Sequence, residues 1–311
     1  MATPAAPHWA EIGESTSVAG VLFLCWVYRW FGRWPFRLCA WPVVLFHWLA
    51  NGVGRRASMQ YLQRLQAHTN ALGREPRWYH GLRHFFCFAD TLLDKVLGLG
   101  GRYPADRIHV QCELMLDKIA RGEGGLILTA HIGCLELCQA LAERVPGFRA
   151  TVLVHTLHAQ RFSRLLQRFP LSSVELVQVT SIGPDTAMAL GRKVADGGFV
   201  VIVGDRVPVQ GGRTMMADFL GHPAPFPIGA YALAAALACP VYSMACLHHG
   251  DGYRVTFEEF SQRIVLPRGS RDAALAGQVQ KFANWLECQL IQSPYDWFNF
   301  FPFWDQARHA E

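Results

Sequence analysis

Charge is scarce in this chain. Only 17% of its 311 residues are Asp, Glu, Lys or Arg, while 51% are hydrophobic. The net charge of +5 is scattered, with no basic run interleaved with aromatic rings, so no nucleic acid partner is expected. Long apolar runs are missing too. Val18 to Trp30 is broken by Arg29 and Phe36 to Ala50 contains Pro42, so neither reaches the roughly 20 residues of a comfortable membrane span.

The nine cysteines include no C-x-x-C, and their odd count among apolar neighbours fits unpaired thiols in a reducing compartment. His155-x-x-His158 and His248-His249 have no cysteine or carboxylate at ligand spacing beside them, so no metal is expected. A G-x-S-x-G elbow, a G-x-x-x-x-G-K-[ST] loop and a G-x-G-x-x-G after a strand are all absent. This argues against an α/β serine hydrolase and the common nucleotide-binding folds, and no cofactor is implied. The first seventeen residues carry Glu11 and Glu14 without a basic start, unlike a secretory signal, which predicts a cytoplasmic protein.

Aromatic residues are plentiful, with 10 Trp and 20 Phe, and many lie at the front. Between the two apolar runs, Tyr28 to Arg37 alternates rings with Arg29, Arg33 and Arg37. Polar-tipped rings beside guanidinium groups suit the headgroup layer of an anionic bilayer. The favoured reading is a hairpin lying in a membrane surface; a spanning segment and a hairpin folded onto the main domain are the alternatives. Arg55 to Leu72 then reads as an exposed helix, Tyr79 to Leu97 as an amphipathic one and Ala105 to Ala120 as a third.

Beyond residue 121 the pattern alternates. Strands are predicted at Leu126 to Ala130, Ala150 to Val154, Val174 to Val179, Phe199 to Val203, Pro240 to Leu247 and Tyr253 to Phe257. Helices are predicted at Gln160 to Phe169, Pro184 to Ala195, Ile228 to Ala238 and Ala273 to Ile291. Strands alternating with helices imply an α/β fold with a mainly parallel central sheet flanked by helices. The chain divides into a membrane-associating hairpin at 1–54 and a domain at 55–311, with a helical lead-in at 55–121 and an α/β core at 122–304.

The first strand of that core ends in His131, then turns through Gly133 into a helix carrying Glu136. Polar groups at the carboxyl end of such a strand face the crevice where open α/β sheets bind ligands. On a regular helix, side chains five positions apart diverge by about 140°. His131 and Glu136 therefore meet only if His131 precedes the first turn, a bend that Gly133 permits. A carboxylate on one ring nitrogen leaves the other as a general base. A capping histidine and a solvent-facing glutamate fit the spacing equally well.

A second block begins at the end of the Phe199 to Val203 strand, which puts Asp205 and Arg206 on the rim that holds His131. After it come Gly211-Gly-Arg213 and a proline-rich stretch from Phe219 through Gly221 and Pro227 to Gly229. Such a loop beside a crevice builds a ligand wall or serves as a rigid connector. Arg161, Arg164 and Arg168 stripe one helix face, either to dock an acidic protein or simply to be solvated.

Taken in order, His131-x-x-x-x-Glu136 after an apolar strand, Gly204-Asp-Arg206, Phe219-Leu-Gly221 and Pro227-x-Gly229 resemble the lysophospholipid acyltransferase superfamily, in its branch of bacterial lipid A late acyltransferases. The resemblance runs from about Ala105 to Phe301, and the front resembles predicted acyltransferases of the same superfamily. It implies that His131 is the general base and Glu136 its orienting group. The reaction would move an acyl chain from the thioester of acyl carrier protein or coenzyme A to a hydroxyl or amine of a lipid-like acceptor. Asp205, Arg206 and Arg213 would bind substrate, and Phe219, Gly221, Pro227 and Gly229 would line the acyl channel. The implied partners are the membrane surface, the acceptor and acyl carrier protein docked on the arginine stripe, at the cytoplasmic face of a bacterial inner membrane. Hydrolysis of the thioester by water and a non-catalytic membrane scaffold are the rival readings. The block differs from the acidic-Gly-Thr-Arg-Ser of glycerol-3-phosphate branches. The chain also ends in Tyr295-Asp-Trp-Phe-Asn299 rather than a basic aromatic motif, so the resemblance does not fix the acceptor.

Overall fold

Seven strands form one sheet, and across it they run Ile108–Gln111, Gly252–Ser261, Val241–His249, Gly125–Thr129, Phe199–Val203, Ala150–Val154 and Val174–Gln178. The computed structural model describes residues 18–143, 145–154, 173–178, 183–207 and 212–305. The strands are β1 (Ile108–Gln111), β2 (Gly125–Thr129), β3 (Ala150–Val154), β4 (Val174–Gln178), β5 (Phe199–Val203), β8 (Val241–His249) and β9 (Gly252–Ser261). Every neighbouring pair is parallel except the β8–β9 hairpin. The expected α/β class and mainly parallel sheet are therefore present. The arginine stripe of Arg161, Arg164 and Arg168 lies outside the described residues, as do His155 and His158.

Alternating residues of β2 feed two separate cores. Leu126, Leu128 and Ala130 pack on one face with Leu275, Val279 and Phe282 of α9 (Arg271–Gln292). Ile127 packs on the other with Leu93 and Leu97 of α4 (Trp78–Leu99) and Leu137 of α6 (Leu135–Ala142). Helices on both faces explain why β2 reads as an unbroken apolar run. The remaining helices are α1 (Val18–Phe31), α2 (Arg33–Ala50), α3 (Gly52–Thr69), α5 (Glu113–Ala120), α7 (Pro184–Ala195) and α8 (Gly229–Leu237).

Two sequence expectations need correction. The helix expected from Ala105 is a short 3-10 turn, then edge strand β1, then α5. The four-residue strand pairs with β9, and that pairing partner is invisible in local periodicity. The second correction concerns the proline-rich loop, which is an antiparallel hairpin of β6 (Thr214–Phe219) and β7 (His222–Pro227). Its turn residues Leu220 and Gly221 both have positive φ, as a two-residue hairpin turn requires. Counting from the turn, Pro223, Pro225 and Pro227 fall at positions that do not bond β6, so their missing N–H groups interrupt no pairing.

Helices α1 and α2 form the expected hairpin, and α2 lies along α4. Phe36, Ala40 and Val44 are its buried stripe. Arg33 and Arg37 both reach toward α4, Arg33 largely covered and Arg37 half exposed. Arg33 pairs with Asp94, and Arg37 with Asp90 at 2.8 Å. The outer face is apolar all the same: Trp34 is 84% exposed, Leu38 74% and Trp30 67%. Among the described residues no helix is long and apolar enough to cross a membrane.

Candidate active site

Strands β2 and β5 lie side by side, with Thr129 opposite Val203 at their carboxyl ends. The chain leaves each strand by a tight path. The Gly204 N–H bonds the Thr129 carbonyl at 2.8 Å, and a Cβ at Gly204 would meet Leu128 Cδ1 at 2.8 Å. Two residues past each strand, His131 and Asp205 meet: Nδ1 lies 2.7 Å from Asp205 Oδ1. The His131 backbone N–H also reaches both carboxylate oxygens, at 3.2 Å.

Gly133 is required for that turn. Its φ is +55°, and a Cβ there would sit 1.8 Å from the Cys246 carbonyl oxygen. Its N–H donates to the Asp296 carbonyl, and Cys134 N–H to the Cys246 carbonyl. The loop is thereby stapled to β8 and to the segment after α9.

That segment supplies the rest of the site. Trp297 donates its indole N–H to Asp205 Oδ2 at 2.9 Å, and Asn299 Nδ2 donates to the same oxygen at 3.2 Å. Arg206 donates to Asn299 Oδ1 and to the Phe298 carbonyl, both at 3.3 Å, with Phe301 under its guanidinium. Phe298 N–H closes the ring of bonds on the His131 carbonyl. Behind Trp297, His84 is fully buried and bridges Ser58 to the Trp297 carbonyl, both at 2.9 Å. Burial holds the His84 pKa down to about 4. The ring is therefore neutral: its Nε2–H donates to the carbonyl and Nδ1 accepts from Ser58.

Asp205 has no exposed surface. Burial alone would raise its pKa, but the charge and hydrogen bond of His131, with Arg206 and Trp297, pull it down to about 2. Burial and the neighbouring Arg206 charge lower the pKa of His131, outweighing the opposing pull of Asp205. The pair is thus a carboxylate and a neutral imidazole. Nδ1–H points at Asp205, which leaves the lone pair on Nε2. The ring is 35% exposed, and among the described residues no hydrogen bond occupies Nε2. This is the arrangement of a general base with an orienting acid.

Glu136 does not fill the orienting role that the spacing suggested. Its carboxylate bonds Lys95 Nζ of α4 at 2.5 Å. It lies on the first turn of α6, and its partner there is on α4. The carboxylate on His131 comes from Asp205, 74 positions downstream, so it is Asp205 that holds the ring. Phe219 and Pro227 are buried. The Phe219 ring stacks on Trp304 and meets Trp297 edge-on, which buttresses the indole that holds Asp205. Arg213 is exposed and pairs with Asp272 at 3.6 Å. Gly221 is the hairpin turn beside His68, and Gly229 opens α8 on the surface. None of these three is bonded to the His131 network among the described residues. The two best-formed cavities, of about 220 and 310 Å³, are lined by other residues.

Sequence reasoning missed Trp297, Asn299, His84 and Ser58. The available signal was polar residues set inside an apolar run, as in Asp296-Trp-Phe-Asn299, since buried polar groups take partners. No known family model matches the chain, and no curated protein is similar enough in sequence to stand as a relative.

Proposed function

We propose that the chain is an acyltransferase of the lysophospholipid acyltransferase type, working on the membrane surface at the cytoplasmic side of a bacterial inner membrane. The observation that carries this reading is the His131–Asp205 pair, with an unbonded Nε2 on a ring that feels the Arg206 charge. The acceptor's O–H or N–H gives its proton to Nε2 as the oxygen or nitrogen attacks the thioester carbonyl. The tetrahedral oxyanion forms beside a cationic wall, where preorganised positive charge stabilises it. The carbon–sulfur bond then breaks, and the thiolate of acyl carrier protein or coenzyme A takes the proton back from Nε2. Arg206 supplies that charge or meets a phosphate of either substrate.

The outer face of the α1–α2 hairpin supports the membrane side of the reading. Phe23, Trp26, Trp30, Trp34, Leu38 and Phe46 are all more than half exposed. A contiguous apolar face rich in Trp is costly in water and favourable in the interfacial layer of a bilayer. Arg33 and Arg37 fasten the hairpin to α4 beneath that face.

The test is to incubate the purified chain on anionic vesicles with acyl carrier protein or coenzyme A thioesters and lysolipid or aminolipid acceptors. Products are read by mass spectrometry. Acylated lipid that disappears with His131→Ala supports transfer. Free fatty acid alone would make water the acceptor, no product would leave the fold a scaffold, and product unaffected by His131→Ala would take His131 out of the chemistry; each overturns the proposal.

A further inference from the structure

A second histidine–carboxylate pair sits about one strand away from the first, and the proposed reaction makes no use of it. His248, near the end of β8, places Nδ1 2.6 Å from Asp296 Oδ1, and its backbone N–H bonds Asp296 Oδ2 at 2.7 Å. Cys87 of α4 points its Sγ at the same pair, 3.4 Å from Asp296 Oδ1 and 3.8 Å from His248 Nδ1. The three residues are far apart in sequence, so the expectation that His248 lacks a cysteine or carboxylate at ligand spacing holds only locally.

The hydrogen count around His248 calls for a positive centre between Nδ1 and Asp296, which a proton fills until a metal ion displaces it. Tyr253 faces His248 across the β8–β9 hairpin and donates its single O–H to Asp94 Oδ2 at 3.0 Å. Its oxygen, 2.8 Å from His248 Nε2, therefore accepts from that nitrogen. A neutral ring with its hydrogen on Nε2 has a bare lone pair on Nδ1. That lone pair would face the Asp296 carboxylate, which is acceptor-only. Two acceptors at this separation repel unless a positive centre lies between them.

We propose that Cys87, His248 and Asp296 bind a divalent cation of the zinc class. The sulfur, imidazole and carboxylate donors are the set that a borderline-soft, tetrahedral ion prefers. Bond lengths of about 2.3 Å to sulfur and 2.0–2.1 Å to nitrogen and oxygen put sulfur about 3.5 Å from each lighter donor in a tetrahedron. The observed 3.4 and 3.8 Å bracket that value. The nitrogen–oxygen pair has to open from 2.6 Å to about 3.3 Å, which a rotation of the Asp296 carboxylate supplies. Binding releases the thiol proton and the hydrogen between Nδ1 and Oδ1. The three side chains donate their lone pairs, and water takes the fourth position. An entry path exists, because the His248 side chain is 28% exposed whereas Asp296 is sealed. The outer support is also in place: Nε2–H on Tyr253, Tyr253 on Asp94, and Asp94 on Arg33. Such an ion would tie α4 and β8 to the strap that carries Trp297 and Asn299.

The experiment uses the full chain, stripped with chelator, reloaded with Zn²⁺ or Co²⁺ alone and dialysed. One equivalent retained, with a near-ultraviolet thiolate-to-cobalt band that Cys87→Ser abolishes, is the expected result. Tyr253→Phe should weaken the affinity by about 10–100-fold, the cost of losing a support behind a ligand, while His131→Ala should leave it unchanged. Circular dichroism checks that each variant is folded; should Cys87→Ser fail to fold, the wild-type cobalt band and Tyr253→Phe decide. No retained metal in the wild type, or wild-type stoichiometry and affinity in both Cys87→Ser and Asp296→Asn, overturns the proposal.

Discussion

His131 and Asp205 each stand two residues beyond a residue of the paired couple Thr129 and Val203, so the parallel register of β2 and β5 brings them side by side. Neither residue is near the other in sequence. The base and its carboxylate are set by the sheet, and the segment from Asp296 to Asn299 locks them from above through Trp297 and Asn299. A site fixed by backbone register is less sensitive to surface change than one built on loops.

The pH dependence follows from the direction of the His131 shift. Catalysis needs the neutral ring, and burial with the Arg206 charge lowers its pKa from 6.5. As pH rises, kcat/KM should climb on a limb centred below 6.5 and be flat through neutrality. Arg206→Gln removes a charge that disfavours the imidazolium, so the limb should move to higher pH. A wild-type limb centred above the unperturbed histidine value would contradict this.

Trp297→Phe keeps most of the ring volume and deletes one donor to Asp205. Losing a hydrogen bond to a buried carboxylate costs about 1.5–3 kcal/mol. Denaturant titration should show a loss of that size. The rate should fall by about tenfold or more, because the carboxylate that aims His131 is less firmly held.

His84 makes the fold sensitive to acid. Its pKa is about 4 in the folded chain and 6.5 when unfolded. The unfolded state therefore takes up the proton first as pH falls. Stability is fully present above 6.5 and is lost progressively toward 4, a loss of about 3 kcal/mol from this group. Unfolding free energies across that range should show the slope, and His84→Gln should flatten it while lowering stability at pH 7.

The exposed hairpin face predicts a separable membrane defect. Trp34→Ala with Leu38→Ala removes two side chains that pack little against the protein, at 84% and 74% exposure. The partition onto anionic vesicles, read by sedimentation, should fall by about a hundredfold or more, since burying each large apolar side chain is worth roughly 1.5–3 kcal/mol and two are lost. The melting temperature should stay within a degree or two.

The strands of the sheet were legible because parallel strands covered on both faces read as short unbroken apolar runs, as in Leu126 to Ala130 and Phe199 to Val203. The helix Pro184 to Ala195 carried its own start signal in Pro184. Strand β1 was not legible, since four residues at a sheet edge owe their conformation to β9. His131, Asp205 and Arg206 could be placed on one rim from the ends of two strands. Which carboxylate His131 takes was not decidable from spacing: Glu136 is nearer in sequence but faces Lys95, and Asp205 is nearer in space. The contribution of Trp297 and the meeting of Cys87 with His248 and Asp296 depend on packing between distant elements, which no local pattern records.

The central claim is that Asp205, and not Glu136, makes His131 a base. Its most direct measurement is the single-turnover rate of acyl transfer in Asp205→Asn and Glu136→Gln side by side, with thioester saturating. The expected result is a loss of roughly 10³–10⁴-fold for Asp205→Asn, as when the orienting acid of a histidine base is neutralised, and less than about tenfold for Glu136→Gln, whose carboxylate is taken up by Lys95. A collapse with Glu136→Gln while Asp205→Asn keeps near-normal turnover would contradict the account.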